Sequence, residues 1–310
     1  MNKKSFHKPK QNIFDWIKKH IIVILIPGLL LAVNRFWYLL ARLITHVVFK
    51  DGGSFCQWDL PIDNQIPFVG VFSIPYILSF LYWIVIPTVI YIVLGSKIFY
   101  RLVAATLLAE LLGFLWLIIL PSKMTYSDYI NRGDYSSDPF YGLMNTLIYK
   151  NDLPDNLSPS FHVLATSLPF IVCLGKGDKD KRNTGMLIGT GCAFVLICLA
   201  VLFVRQHYIA DIFSALLIVI VSYVIVRARK WGHTFQKFND WWWLKMTQIV
   251  PSDKSHARNN CKIILCQKIT TIVIFVCLVG FMIYFGIISD MTGDPFAKFW
   301  HFGINGLYPN

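Results

Sequence analysis

Residues 185–227 read GMLIGTGCAFVLICLAVLFVRQHYIADIFSALLIVIVSYVIVR. Two apolar runs of about twenty residues flank one short polar turn, Arg205-Gln206-His207. Each run is long enough to cross the roughly 30 Å hydrocarbon layer of a bilayer as a helix. Inside lipid no water satisfies backbone N–H and C=O groups, so such runs are read as helices. The stretch predicts a membrane hairpin with a histidine at its bend.

The rest of the chain repeats this pattern. Of 310 residues, 55% are hydrophobic and 15% charged, against about 25% charged in soluble domains. Mean hydropathy is +0.54. Seven spans are expected, at 20–44, 68–94, 100–120, 159–175, 185–204, 207–227 and 268–289. The first is too long for a cleaved leader, carries Arg35 and Arg42, and has no small-residue cleavage site after it. The predicted fold is an all-α polytopic membrane bundle. It divides into a basic N-terminus (1–19), a six-helix core (20–227), an interfacial segment with Trp241, Trp242 and Trp243 (228–267), and a seventh helix with its tail (268–310).

The net charge of +12 is unevenly distributed. Twenty-one of the 29 Lys and Arg residues fall before span 1 or after spans 2, 4 and 6, and six fall on the opposite side. That is the positive-inside pattern, with the N-terminus cytoplasmic. Topology accounts for the charge better than nucleic-acid binding does. The seven cysteines form no disulfide framework, because only Cys56 lies clearly outside the membrane on the oxidising side. The chain has no CxxC or HExxH spacing, which argues against a zinc site.

Two polar clusters fall on the outer side. The first is Asn156-Leu157-Ser158-Pro159-Ser160-Phe161-His162, at the start of span 4. Ser158 is expected as the helix N-cap and Pro159 as its first residue. Ser160 and His162 then occupy the first turn, where free N–H groups and the helix dipole favour an anion. From Phe161 to Leu174 the span is only 14 residues, about 21 Å of helix. Its outer end is therefore expected below the membrane surface, as suits a lipid headgroup. The second cluster is Arg205-Gln206-His207-Tyr208-Ile209-Ala210-Asp211. His207 and Asp211 share a helix face, so Asp211 can accept the imidazole Nδ1–H and leave Nε2 basic. Arg205 adds a permanent cation for a phosphate. Alone, a His-x-x-x-Asp pair is more often a structural hydrogen bond, and a Ser-Pro-Ser is more often a cap. Both clusters at helix ends on one membrane face point instead to phosphoryl chemistry.

At these residues the chain resembles the type 2 phosphatidic acid phosphatase superfamily, the lipid phosphate phosphatases. Pro159-Ser160-Phe161-His162 matches its Pro-Ser-x-His motif, and His207 with Asp211 matches the His-x-x-x-Asp of its third motif. Asp63-Asn64-Gln65-Ile66-Pro67-Phe68, Pro75-Tyr76, and Asp152, Pro154 and Asn156 resemble a bacterial branch. The resemblance spans roughly residues 20–227 and implies a membrane enzyme, placed in a bacterial cell membrane, that acts on a phosphorylated lipid. It implies that His207 attacks phosphorus, His162 serves as acid and then base, and Asp211 orients His207. Ser160, Arg205 and backbone N–H groups would hold the phosphoryl oxygens, with no metal and no cofactor.

The chain also departs from that pattern. The usual Lys-x6-Arg-Pro motif, started at Lys123, meets Ile130 and Asn131 where arginine and proline belong. Lys123 and Arg132 are the candidate substitutes. Six residues before His207, where an arginine is usual, stands Val201. Arg205 resembles instead the basic residue of a branch holding sphingolipid synthases and inositol phosphotransferases. Three functions follow: a lipid phosphatase, a phosphotransferase between lipids, or a membrane protein that only binds or transports lipid. Arg35 and Glu110, both within spans, are expected to form a structural ion pair.

Overall fold

The computed structural model describes residues 13–48, 55–125, 128, 132–149, 152, 154–175 and 183–238. Among them the ordered structure is helical, with no strand and only two isolated bridges. The long helices are α1 (Ile13–Val48), α2 (Ser73–Leu94) and α3 (Ser96–Ile119). A four-residue α4 (Tyr141–Met144) precedes α5 (Phe161–Cys173), α6 (Thr184–Phe203) and α7 (Ile209–Ala228). The expected seventh span and the Trp241 to Trp243 segment lie outside the described residues.

Among the described residues, four helical stretches are long and apolar enough to cross a membrane: 70–94, α3, α6 and α7. The chain is an integral membrane protein of helical type. Its exposure pattern agrees, because large apolar side chains point outward: Ile119 is 71% exposed and Phe213 66%. Hydrophobic faces of this extent are stable only against lipid or a partner. Some hydroxyls that turn inward are satisfied within their own helices. Thr190 donates to Met186 O at 2.7 Å and Ser214 to Asp211 O at 3.0 Å, the usual solution where water is absent.

Helix α3 packs against α1, α2, α5 and α7, and α5 packs against α2, α3, α6 and α7. The main core lies between them and includes Leu102, Ala105, Ala109, Leu164, Leu168 and Val219. Helix α2 turns into α3 through Gly95 alone, at φ 89°, a backbone conformation that glycine adopts without strain. Gly113 sets the spacing of α3 from α5, since a Cβ there would lie 3.0 Å from Phe161 Cζ. These two close-packed helices hold the start of α5 between α1, α2 and the loop that precedes it.

Candidate active site

Helix α5 begins at Phe161 with Ser160 as its N-cap. The expected cap at Ser158 is corrected by two residues, because Ser158 is engaged elsewhere. Its N–H donates to Ser122 Oγ at 2.7 Å and its hydroxyl pairs with Ser214 Oγ at 2.9 Å. Ser160 N–H donates to Asp211 O at 3.1 Å. These bonds fasten the start of α5 to the start of α7, so His162 in one first turn approaches His207 just before the other. The ring centroids are 6.3 Å apart, inside the roughly 8 Å that one phosphoryl group between two hydrogen-bonding groups requires.

Each imidazole is held through Nδ1. Asp211 Oδ2 faces His207 Nδ1 at 3.3 Å and accepts Tyr208 N–H at 2.9 Å, so one carboxylate both caps α7 and orients His207. His162 Nδ1 lies 3.0 Å from Ser79 Oγ, whose hydroxyl donates to Tyr76 O at 2.6 Å. A hydroxyl has one proton. With that proton given to a carbonyl, Ser79 accepts from His162 Nδ1–H. Both rings are thereby left with Nε2 for chemistry. Tyr76, Phe80 and Trp83 surround the His162 ring with centroids 4.2, 5.1 and 5.0 Å away, and Trp83 is pinned by its indole N–H to Thr166 Oγ1 at 3.1 Å. Ser79 escaped sequence reasoning. Its only signal is that it is a serine on an apolar span, one turn before Trp83 on the same face.

Both histidines line a cavity of about 500 Å³. Its polar lining includes Asp152, Asp155, Asn156 and Gln206, and its apolar lining Gly28, Leu31, Ile77, Phe80 and Trp83. Along α1, Gly28 lies seven residues from Arg35, about 10 Å of helix. The polar lining is fixed by Arg42, which donates to Asp155 Oδ1 from Nε at 2.9 Å and from Nη2 at 2.7 Å. The same Nη2 reaches Asp152 Oδ1 and Tyr38 Oη, each at 3.0 Å. Gln206 Nε2 donates to Asp152 Oδ2 at 3.3 Å. Asn156 is 2% exposed with φ 52°, and neither atom of its side-chain amide has a hydrogen-bond partner. Its neighbours Asp152 and Asp155 complete a polar stretch just before the first cluster, and that density was the available clue.

The expected phosphate-binding residues divide. Ser160 is fully buried, with its hydroxyl unpartnered among the described residues. Arg205 does not line the cavity. It adopts φ 51°, and its guanidinium donates to Asp63 O, to Ile66 O at 3.1 Å and to Asp128 Oδ1 at 2.6 Å. Asp128 also accepts from the Tyr208 hydroxyl at 2.9 Å, and burial pushes that phenol above its ordinary range, so it keeps the proton it donates. Asp63 accepts Ile209 N–H at 3.0 Å. Arg205 therefore anchors the turn that carries His207. Lys123 is likewise outside the cavity lining, with its backbone bridged to Asp155 and its ammonium 5.8 Å from the Phe55 ring centroid. Arg132 opens a 3-10 helix, Arg132–Ser137, and its side chain lies outside the described residues.

The expected Arg35–Glu110 pair is not formed. Arg35 lines the main cavity, whereas Glu110 borders a separate one of about 40 Å³ with its Oε2 unpartnered. Leu31, Asn34 and Trp83 stand in the walls of both. No family model, curated protein or solved structure matches the chain.

Proposed function

We propose that the chain is a membrane-embedded lipid phosphatase that works through a phosphohistidine on His207. The observation that carries this reading is the pair of imidazoles 6.3 Å apart, each held at Nδ1, in a cavity lined by both polar and apolar side chains. A phosphorylated lipid has the same division into charged head and hydrocarbon stem. Resemblance of the Ser160-to-His162 and His207-to-Asp211 motifs to the type 2 phosphatidic acid phosphatases supports the same chemistry. In this reading residues 20–227 form a six-helix phosphatase-like core, and the helix expected at 268–289 is an addition to it. The site opens to the outer face of a bacterial cell membrane.

In the first step His207 Nε2 attacks phosphorus, the P–N bond forms, and the P–O bond to the lipid breaks. Protonated His162 gives its Nε2 proton to the departing oxygen. Asp211 stabilises the cationic character that develops on His207. In the second step His162 takes a proton from water, the water oxygen attacks phosphorus, and the P–N bond breaks to release phosphate and free His207. A second reading, phosphotransfer to another alcohol, is favoured by Asp152 on the cavity wall, whose side chain is 27% exposed, since carboxylates accept hydrogen bonds from hydroxyls. The first step is then shared, and a lipid or polyol hydroxyl replaces water.

Purified full-length protein is expected to release phosphate from dioctanoyl phosphatidic acid and to form an acid-labile phosphoenzyme. His207→Ala should lower release by about a thousandfold or more and abolish the phosphoenzyme. Release unchanged in that variant would sink the reading and leave a lipid-binding or transport role. A new phospholipid formed only when an alcohol is added would favour transfer over hydrolysis.

A further inference from the structure

A phosphoryl group in transfer carries charge on three oxygens and needs fixed positive donors. Arg205 and Lys123 are placed elsewhere, so the cavity must find its cation in another element. Helix α1 carries two arginines on one face, seven residues or two turns apart. The second, Arg42, is saturated by Asp155, Asp152 and Tyr38. The first, Arg35, lines the cavity with His162 and His207. Its guanidinium carbon sits 5.6 Å from the Tyr38 ring centroid, and among the described residues it makes no ion pair or hydrogen bond.

An arginine stays protonated even in an apolar setting. A partly buried guanidinium without a carboxylate partner is costly, and in membrane helices such groups mark binding sites. Asn156, nine-tenths and more buried with both amide atoms unpartnered, stands in the same wall. Its Nδ2 is a second unused donor. We propose that Arg35 is the phosphate-binding cation of this site, gripping two phosphoryl oxygens of the ligand through its fork of N–H groups while Asn156 donates to a third. This assignment rests on the phosphohistidine reading. It places the four partners of the phosphoryl group on separate parts of the chain: Arg35 on α1, Asn156 in the loop before α5, His162 on α5 and His207 before α7. The first helix then completes the site as well as covering it.

The test uses the full chain in detergent and orthovanadate as the probe, with affinity read from the ligand-dependent rise in melting temperature. Arg35→Gln should bind vanadate at least about tenfold more weakly, as expected for loss of a charged hydrogen-bonding pair. Arg35→Lys should fall between that variant and the parent, because an ammonium keeps the charge and loses the fork. Added guanidinium should restore part of the phosphate release lost in Arg35→Ala. If Arg35→Gln is too unstable to assay, Arg35→Lys carries the test, and parental vanadate affinity in it overturns the proposal. A lowered ligand-free melting temperature with unchanged vanadate affinity would also overturn it, since that is the signature of a structural arginine. Vanadate binding that depends on His207 but not on Arg35 overturns this assignment and leaves the phosphohistidine reading intact. A parent protein that does not bind vanadate overturns both.

Discussion

Arg205 gives its guanidinium protons to the carbonyls of Asp63 and Ile66 and to Asp128 Oδ1. Its side chain is 11% exposed and that of Asp128 7%, so the pair is mostly out of water. Removing one partner of such a pair leaves a buried charge and typically costs about 3–5 kcal/mol. Arg205→Ala is therefore expected to lower stability by about 3 kcal/mol, measured as melting temperature in detergent. Turnover per folded molecule should fall less steeply, through loosening of the His207 turn. Arg205→Lys should not rescue, because one ammonium cannot replace a planar fork serving three acceptors. An unchanged melting temperature with a hundredfold loss of turnover would return Arg205 to the phosphoryl site. His162, His207 and Asp211 were legible at this scale because i to i+4 spacing and a position in a helix's first turn fix where a side chain goes. Arg205 was not, because φ 51° at a turn redirects the side chain and spacing carries no record of it. Arg35 and Glu110 were misread as a pair for a related reason. Two charges within spans say nothing about which faces of α1 and α3 meet.

The elements that position the site depend on close approach. Gly113 on α3 faces Phe161, the residue before His162, and a Cβ there would stand 3.0 Å from the ring. Phe161 in turn meets the Tyr38 ring edge-on at 6.2 Å, and Tyr38 donates to Asp152 Oδ1 at 3.0 Å. Gly113→Val would push this chain of contacts toward the cavity. Overpacking of this kind costs about 1–3 kcal/mol, and turnover should fall with it, while Gly113→Ala should do less. Thermal stability and phosphate release measured on both variants check this; full activity in Gly113→Val would mean that α3 does not set the α5 position. Element boundaries show which physics hydropathy senses. Expected spans 185–204 and 207–227 correspond to Thr184–Phe203 and Ile209–Ala228, because polar turns bound both helices. Span 20–44 is the inner part of a 36-residue helix, Ile13–Val48, because the backbone stays helical through Lys18 and Lys19 where the apolar signal stops. Span 68–94 begins early, since Gly70–Phe72 is a 3-10 turn leading into α2.

Among the described residues, apolar side chains form the outer surface as well as the core. The outward faces of α2, α6 and α7 are apolar, and polar groups gather around one cavity that α1, α2, α5 and two loops build together. Composition made the class legible. The cavity was not, because it needs the loop before α5 to fold back: Met124 N–H donates to Pro154 O at 2.8 Å and Asn156 N–H to Ser122 O at 2.6 Å. With phosphate at the histidines, the stem past Phe80 and Trp83 toward Gly28 is left for hydrocarbon. Burying one methylene contributes about 0.8 kcal/mol, so kcat/KM for linear alkyl monophosphates should rise up to roughly fourfold per added carbon. The rise should stop when the stem is filled. Gly28→Leu, at the far end of the lining, should move that plateau to shorter chains by about four carbons, the size of the side chain it adds. The measurement is phosphate release across a butyl-to-dodecyl series, kept below micelle-forming concentrations so that chain length reports on the cavity alone. A flat series, or a Gly28→Leu plateau identical to the parent's, would show that the apolar stem does not hold the lipid. The tail would then lie against the outer surface of the helices.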